Sequence, residues 1–349
     1  KSCFGENVGF RFASLDERSF MNAQGDILVS GSDLSAFDEF GGEYYGTTTA
    51  GDKVIGAGAD LSVFGNAFTR TFERVYPTTA AAEGSVSDVA FSKRSGAVSA
   101  RPIARPRVFI PVFPGTNCEY DTARAFERAG AQAEICVIRN RSAADIDDSV
   151  KEIVKRIKEC QILMFPGGFS GGDEPDGSGK FIATTFRNPE IADAVRELIS
   201  VRDGLVLGIC NGFQALVKTG LLPGGSITVQ DAASPTLTFN NIARHVSQIV
   251  RVRVASVKSP WMSGVNVGDV FGVAVSHGEG RFVARAEDLD RLANNGQIAT
   301  QYCDLNGNAT MLSPFNPNGS MLAIEGITSE DGRIFGKMGH TELSLIHIS

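Results

Sequence analysis

A cysteine between two glycines is the strongest chemical signal in this sequence. In LGICNGFQ, residues 207–214, Cys210 follows an apolar run of strand length and precedes a helix-forming stretch, with Gly208 and Gly212 on either side. A nucleophile at such a strand-to-helix turn needs neighbours without side chains, and a helix N-terminus favours the thiolate form. The pattern predicts a reactive cysteine, and an inert cysteine in a turn is the alternative.

A cysteine nucleophile needs a base and usually an acid that orients the base. The four histidines of the chain are His245, His277, His340 and His347. His245 has no carboxylate near it in the sequence, so we interpret it as a surface or structural residue. Two H-x-E triplets pair His277 with Glu279 and His340 with Glu342. Residues i and i+2 of an extended chain face the same side, so spacing alone leaves both pairs open.

A long glycine-rich loop, residues 164–180, follows another apolar run and offers several backbone N–H groups to an anion or an oxyanion. It is not a phosphate-binding P-loop, because Lys180 is followed by Phe181 rather than by serine or threonine. The loop also carries three acidic residues without the alternating spacing of a calcium loop, which makes a metal site there a minor alternative. They are Asp173, Glu174 and Asp176.

Elements that would position these residues alternate between buried strands and amphipathic helices over residues 107–220, and strands predominate after residue 246. This order predicts an α/β fold with a doubly wound, mostly parallel sheet flanked by helices. Ligands of such sheets bind beyond the carboxyl ends of the strands, where Cys210 would lie. Residues 1–82 hold short apolar stretches and a helix predicted over 61–76, and residues 83–106 have the composition of a linker.

Composition narrows the function classes. The 349 residues carry a net charge of −7, which argues against a nucleic-acid or anionic-membrane surface. We find no apolar run long enough for a membrane helix and no signal-like start. The six cysteines are scattered, with no C-x-x-C, which favours a reducing, cytoplasmic setting. Because the first residue is Lys1, we expect a fragment or a processed product.

Several motifs occur in one order between residues 107 and 342: FPGTNCEYDTARAF, FPGGFSGGDEPDGSGKFIA, LGICNGFQALVKTGLLPGG, VSHGEGRF, NPNGSMLAIEGI and GRIFGKMGHTE. Together they resemble the glutamine amidotransferase domain of the phosphoribosylformylglycinamidine synthases. The resemblance covers about two thirds of the chain and is specific, because unrelated motifs agree in order and spacing. It implies the flavodoxin-like fold of class I glutamine amidotransferases.

The resemblance also implies roles for individual residues. The family's last motif, usually H-P-E, matches GHTE, so the implied catalytic triad is Cys210, His340 and Glu342, with Thr341 where proline is common. The SHGEG motif then belongs to the wall of the glutamine pocket, and His277 with Glu279 is the rival triad. Gln214 is implied to contact substrate glutamine. The implied oxyanion hole consists of backbone N–H groups of Gly168, Phe169 and Asn211, and no metal is implied.

The implied reaction is hydrolysis of glutamine to glutamate and ammonia through a cysteinyl thioester. Ammonia would then feed the ATP-dependent conversion of formylglycinamide ribonucleotide to its amidine in purine biosynthesis. The glutaminase domain would need no cofactor, whereas ATP and Mg²⁺ would serve synthetase domains upstream in the same polypeptide. Residues 1–82 would be the C-terminal remnant of that synthetase, as in the large single-chain form, and residues 107–342 the amidotransferase domain.

The end of the chain departs from the family pattern. LSLIHIS, residues 343–349, replaces an expected arginine and terminal helix, so we interpret it as foreign to the family. The triad would then stand at a frayed end, and we expect this chain to have weak or no glutaminase activity. A stand-alone cysteine hydrolase of similar fold and a catalytically inert fragment are the alternatives.

Overall fold

The computed structural model describes residues 9–13, 29–50, 53–55, 59–70, 72–95, 103–169 and 179–343. The chain forms two compact units, which divide between Thr78 and Thr79. This division lies close to the boundary predicted at residue 82.

The first unit contains a small sheet of order β2-β1-β3-β4 and a helix that follows it directly. Its elements are β1 (Gly9–Phe12), β2 (Gly46–Thr49), β3 (Lys53–Ile55), β4 (Ala59–Asp60) and α1 (Leu61–Arg70). The helix is shorter than predicted. Residues 72–76 form a turn instead, in which the N–H groups of Val75 and Tyr76 both donate to the carbonyl of Phe72.

The second unit is built on a nine-stranded sheet of order β11-β10-β13-β14-β15-β8-β7-β5-β6. The strands are β5 (Arg107–Val112), β6 (Gln132–Val137), β7 (Ile162–Phe165), β8 (Leu205–Ile209), β10 (Val246–Val254), β11 (Val270–His277), β13 (Ile298–Tyr302), β14 (Ile324–Thr328) and β15 (Ile334–Lys337). A separate ribbon pairs β9 (Thr236–Thr238) with β12 (Arg281–Val283).

Five neighbouring strands of this sheet, β6, β5, β7, β8 and β15, are parallel. Numbered along the chain, they lie in the order 2-1-3-4-5, which is the flavodoxin-like order. The prediction of a doubly wound α/β fold with a mostly parallel sheet is therefore confirmed. Helices supply the flanking layers: α2 (Glu119–Arg128), α3 (Ala143–Glu159), α4 (Lys180–Phe186), α5 (Pro189–Ser200), α6 (Asn211–Thr219), α7 (Leu221–Gly224) and α8 (Ala286–Asn294).

Burial on both faces explains why the sequences of the central strands β5, β7 and β8 are continuous apolar runs. Helices on both faces leave β5, β7 and β8 almost without solvent contact, and Val108, Leu163 and Val206 are fully buried. The remaining four strands are antiparallel to their neighbours and extend the sheet beyond β15. His277 ends β11 at the same edge of the sheet at which β8 and β15 end.

The described part of the predicted linker, residues 83–95, belongs to the second unit and is packed against its other elements. Phe91 donates its N–H to Ala255 O at 2.9 Å and accepts from Val257 N at 3.1 Å, as an added strand would. Arg281 forms an ion pair with Glu83 at 2.6 Å. Residues 83–95 are therefore held in place by contacts with the rest of the second unit and do not form a free linker.

Among the helices that the structure describes, none is both long enough and apolar enough to cross a membrane.

Candidate active site

Cys210 occupies a strained turn between β8 and α6. Its backbone has φ 51° and ψ −106°, a left-handed region that costs a residue with a side chain of order 1–3 kcal/mol. The N–H of Cys210 donates to Lys337 O of β15 at 2.8 Å, which fixes the turn to the neighbouring parallel strand. The geometry is that of a nucleophile elbow, with the side chain presented at the carboxyl end of the strand.

The two glycines beside Cys210 are required by close packing. A Cβ on Gly212 would lie 2.0 Å from the carbonyl oxygen of Phe165, and a Cβ on Gly208 would lie 2.7 Å from Gly212 O. Neither separation is possible for a real side chain. Helix α6 therefore rests directly on the backbone of β7, which sets the position of the elbow.

His340 and Glu342 form a buried pair just after β15. His340 Nδ1 lies 2.6 Å from Glu342 Oε1, and both residues are 6 % exposed. The backbone of this segment is fixed, since the His340 N–H donates to Ala274 O of β11 at 2.8 Å. The expectation of a frayed end therefore fails for His340 and Glu342, because His340 is bonded to β11 and both side chains are buried. Residues 344–349 lie outside the described residues.

The surroundings of His340 favour its charged form. Burial by itself lowers its pKa, but hydrogen bonds with the Cys118 and Cys210 thiols and with Glu342 outweigh burial and raise the pKa to about 12. The Cys210 thiol also faces Ser276 O at 3.8 Å. The elbow, a histidine and a carboxylate thus meet at one point of the sheet edge.

His277, the histidine of the rival pair, has a different partner. Asn240 donates its side-chain N–H groups to His277 O and Arg244 O, so its Oδ1 must accept the proton on His277 Nδ1, 3.1 Å away. His277 Nε2 is left as a buried acceptor without a partner among the described residues. Burial, and then the positive charges of His245 and His340, lower the pKa of His277 to about 3.

Glu279 and Gln214 join the SHGEG segment to the elbow helix. Gln214 Nε2 donates to the backbone carbonyl of Glu279 at 2.5 Å, and Gln214 Oε1 accepts from Asn211 Nδ2 at 3.0 Å. Contact with substrate glutamine, which the resemblance implies for Gln214, would use its second N–H. That role stays a prediction.

One of the three N–H groups of the predicted oxyanion hole already has a partner within the protein. The N–H of Phe169 donates to Gly115 O at 2.7 Å, which directs it away from a substrate. Gly168 has φ 144°, and a Cβ there would lie 2.5 Å from the same carbonyl, so only glycine fits. The oxyanion role stays a prediction for Gly168, Phe169 and Asn211, and for Phe169 it would require loss of the bond to Gly115. The acidic residues Asp173, Glu174 and Asp176 lie outside the described residues.

Two residues that sequence reasoning missed touch this site. Cys118, in the loop after β5, has its Sγ 3.9 Å from His340 Nδ1. Glu325, fully buried on β14, accepts a hydrogen bond from Gly339 N at 2.6 Å and another from Thr300 Oγ1. Glu325 thereby holds the backbone next to His340. A signal existed for both: Cys118 follows a strand end, and Glu325 is an acid within an apolar strand, AIEGI.

We expect His277→Gln to make folding less sensitive to acid. Between pH 6.5 and about 3, the unfolded chain binds a proton at His277 that the folded chain excludes, so the free energy of unfolding falls as pH decreases. From pH 7 to pH 5, this group costs the wild-type chain about 2 kcal/mol. Urea titrations at both pH values measure the fall in the free energy of unfolding. In His277→Gln this fall should be smaller than in wild type by the amount that His277 contributes. His245→Gln is the control for an exposed imidazole. Equal losses in wild type and His277→Gln would contradict the expectation.

The family model for the CobB/CobQ-like glutamine amidotransferase domain matches residues 105–348. The chain belongs to the glutamine amidotransferase family. The bounds of the match reach residue 348, and our interpretation of residues 343–349 as foreign to the family stays a prediction.

PurQ subunits are among the relatives of this glutamine amidotransferase. The phosphoribosylformylglycinamidine synthase subunit PurQ of Methanococcus maripaludis (strain S2) is 38 % identical over 245 residues, which cover 70 % of this chain and 84 % of the relative. The same subunit from Aquifex aeolicus is 34 % identical over 233 residues, or 67 % and 88 % of the two chains. Among solved structures, PurLQS from Thermotoga maritima is similar with a TM-score of 0.49 and 24 % identity, covering 68 % of this chain and 88 % of that one.

Proposed function

We propose that this chain is the glutaminase component of a phosphoribosylformylglycinamidine synthase and acts in purine biosynthesis. The observation that carries the proposal is the meeting of Cys210 with the buried His340–Glu342 pair at the carboxyl edge of the sheet. The relatives named PurQ support the choice of reaction system, since this chain spans most of their length.

In the first half of the proposed reaction, the Cys210 thiolate attacks the side-chain amide carbon of glutamine. Backbone N–H groups of Gly168 and Asn211 hold the developing oxyanion. His340 enters this step as an imidazolium, which its raised pKa favours, and gives its proton to the departing ammonia. The products of this half are ammonia and a γ-glutamyl thioester on Cys210.

In the second half, His340 is a neutral base. It takes a proton from water, the resulting hydroxide attacks the thioester carbon, and glutamate leaves as the Cys210 sulfur is released. Glu342 keeps the imidazole oriented and stabilises its positive charge when it forms. Ammonia passes to a synthetase site. We propose that ATP and Mg²⁺ act at that site and not in the glutaminase. We assign neither ATP nor Mg²⁺ to any residue described above.

We also infer the large single-chain form, with the synthetase on the same polypeptide. Support comes from the first unit, which ends at Thr78, before the family match begins at residue 105. The relatives are named as subunits, and they match about 70 % of this chain. An amidotransferase domain alone would therefore not explain the presence of the first unit. We place the protein in a reducing cytoplasm, in keeping with five described cysteines that are all free.

A glutamine-mimicking diazoketone tests the proposed function. We expect it to alkylate Cys210, and we expect glutamine to protect that residue, as located by peptide mass. Because His340 and Glu342 are buried and His340 is bonded to β11, we now expect the purified chain to release glutamate from glutamine, in contrast to the weak activity expected from the sequence. Cys210→Ser is the control and should lose the label. Alkylation of Cys210 without protection would indicate a generic cysteine hydrolase, and absence of selective alkylation would indicate an inert module.

A further inference from the structure

Three side chains with different donor atoms converge beside the elbow. The Cys118 sulfur, a ring nitrogen of His340 and a carboxylate oxygen of Glu342 all lie within 4.8 Å of one another. The Cys118 Sγ to His340 Nδ1 distance is 3.9 Å, and the His340 Nδ1 to Glu342 Oε1 distance is 2.6 Å. The proposed reaction assigns steps to the histidine and the carboxylate, whereas Cys118 takes part in none of its bond-forming or proton-transfer steps.

Thiolate, imidazole and carboxylate are the ligands that Zn²⁺ takes in proteins, with bonds of about 2.0–2.3 Å. Tetrahedral binding at those lengths places neighbouring ligand atoms roughly 3.3–3.7 Å apart. The sulfur and the nitrogen already stand near that separation. The carboxylate must move slightly away from Nδ1 or turn its other oxygen inward. That oxygen, Glu342 Oε2, is buried and has no hydrogen-bond partner among the described residues.

The backbone around the three donors is fixed before any ion arrives. Cys118 donates its N–H to Gly167 O at 3.3 Å, and His340 is tied to Ala274. Gly167 also keeps the space open, because a Cβ there would lie 2.6 Å from His340 Cε1 and 3.1 Å from Cys118 Sγ. A preorganised set of soft and borderline donors selects transition metals over Mg²⁺ or Ca²⁺.

We propose that Cys118, His340 and Glu342 form an inhibitory site for a divalent transition metal, with Zn²⁺ as the best fit. On binding, the ion displaces the Cys118 thiol proton and the proton at His340 Nδ1, and both protons pass to solvent. The His340–Glu342 hydrogen bond is lost, and His340 can no longer move a proton to or from the reacting atoms. Binding follows from the geometry alone, whereas inhibition of glutamine hydrolysis rests on the proposed function.

Cobalt binding tests the site without any activity. In full-length Cys210→Ser, we expect Co²⁺ to produce a near-ultraviolet thiolate-to-cobalt charge-transfer band, because Cys118 remains as the thiolate ligand. The band should vanish in Cys210→Ser/Cys118→Ser and persist in Cys210→Ser/Cys136→Ser, whose altered cysteine lies on the edge strand β6. Zn²⁺ should abolish the band by displacement. A missing band in Cys210→Ser, or a band that survives loss of Cys118, would overturn the proposal.

Zinc inhibition provides the second measurement. We expect the Zn²⁺ concentration that halves glutamate release to rise about tenfold or more in Cys118→Ser, each protein being compared with its own uninhibited rate. Cys136→Ser should behave as wild type, and Mg²⁺ should not inhibit. Equal sensitivity of wild type and Cys118→Ser would mean that Cys210 and His340 hold the metal without Cys118. A chain without glutaminase activity would refute the proposed function, and the cobalt titration would still decide the metal site.

Discussion

His340→Gln is expected to lower kcat for glutamine hydrolysis by about 10⁴-fold, whereas His277→Gln should leave kcat within about tenfold of wild type. The difference follows from the contacts of the two rings. His340 is bonded to the Glu342 carboxylate and its pKa is raised by the nearby Cys210 thiol, so it can hold a proton and release it during the reaction. His277 bonds to the uncharged amide of Asn240, and a base with a pKa of about 3 holds a proton too weakly to take one from a thiol.

Steady-state glutamate release measures both effects, and the free energy of unfolding of each variant serves as the control for folding. Diazoketone labelling adds a readout of the elbow alone. His340→Gln should slow alkylation of Cys210, because the imidazolium no longer stabilises the thiolate, while His277→Gln should alter it little. If His277→Gln lost as much kcat as His340→Gln, or if His340→Gln stayed active, the rival pair would carry the reaction.

The fold was predictable from sequence because its core consists of strands buried on both faces. Runs such as 107–113 and 205–209, alternating with amphipathic helices, are typical of central strands of a parallel sheet, and the glycine-flanked Cys210 marks the turn that follows one of them. The helix predicted over 61–76 was too long, because local periodicity continued past Arg70 while the backbone formed a turn at Phe72.

The site was only partly predictable, since its contacts join residues far apart in the chain. The prediction that histidine and glutamate face the same side assumed that both H-x-E triplets are extended chain. Strand β11, however, ends at His277, and beyond it Glu279 turns its carbonyl to Gln214, so His277 pairs with Asn240 instead. Nothing local distinguishes that outcome from the His340–Glu342 pairing. Cys118 was missed for the same reason: it approaches His340 from the loop after β5, a strand that is two positions away from β8 in the sheet.

Gly212→Ala is expected to destabilise the second unit by about 1–3 kcal/mol and to lower kcat by about 100-fold. Alanine is the better helix former by about 1 kcal/mol, and the φ of Gly212 does not require glycine. Helix propensity alone therefore predicts that Gly212→Ala increases stability. The added Cβ would lie 2.0 Å from Phe165 O and 2.7 Å from Phe165 C. These are backbone atoms of a central buried strand, which cannot turn aside as the end of a flexible side chain can.

The clash therefore outweighs the propensity, and α6 must move away from β7 by about 1 Å, a displacement large enough to misplace a nucleophile. Because Cys210 is the residue that enters this helix, the movement separates its sulfur from His340 and lowers kcat more than it lowers stability. Gly264→Ala is the matched control, since a Cβ there meets no atom within 4 Å. Urea unfolding and steady-state kinetics measure the two effects. If Gly212→Ala matched Gly264→Ala in both, the contact between α6 and β7 would not be what positions the elbow.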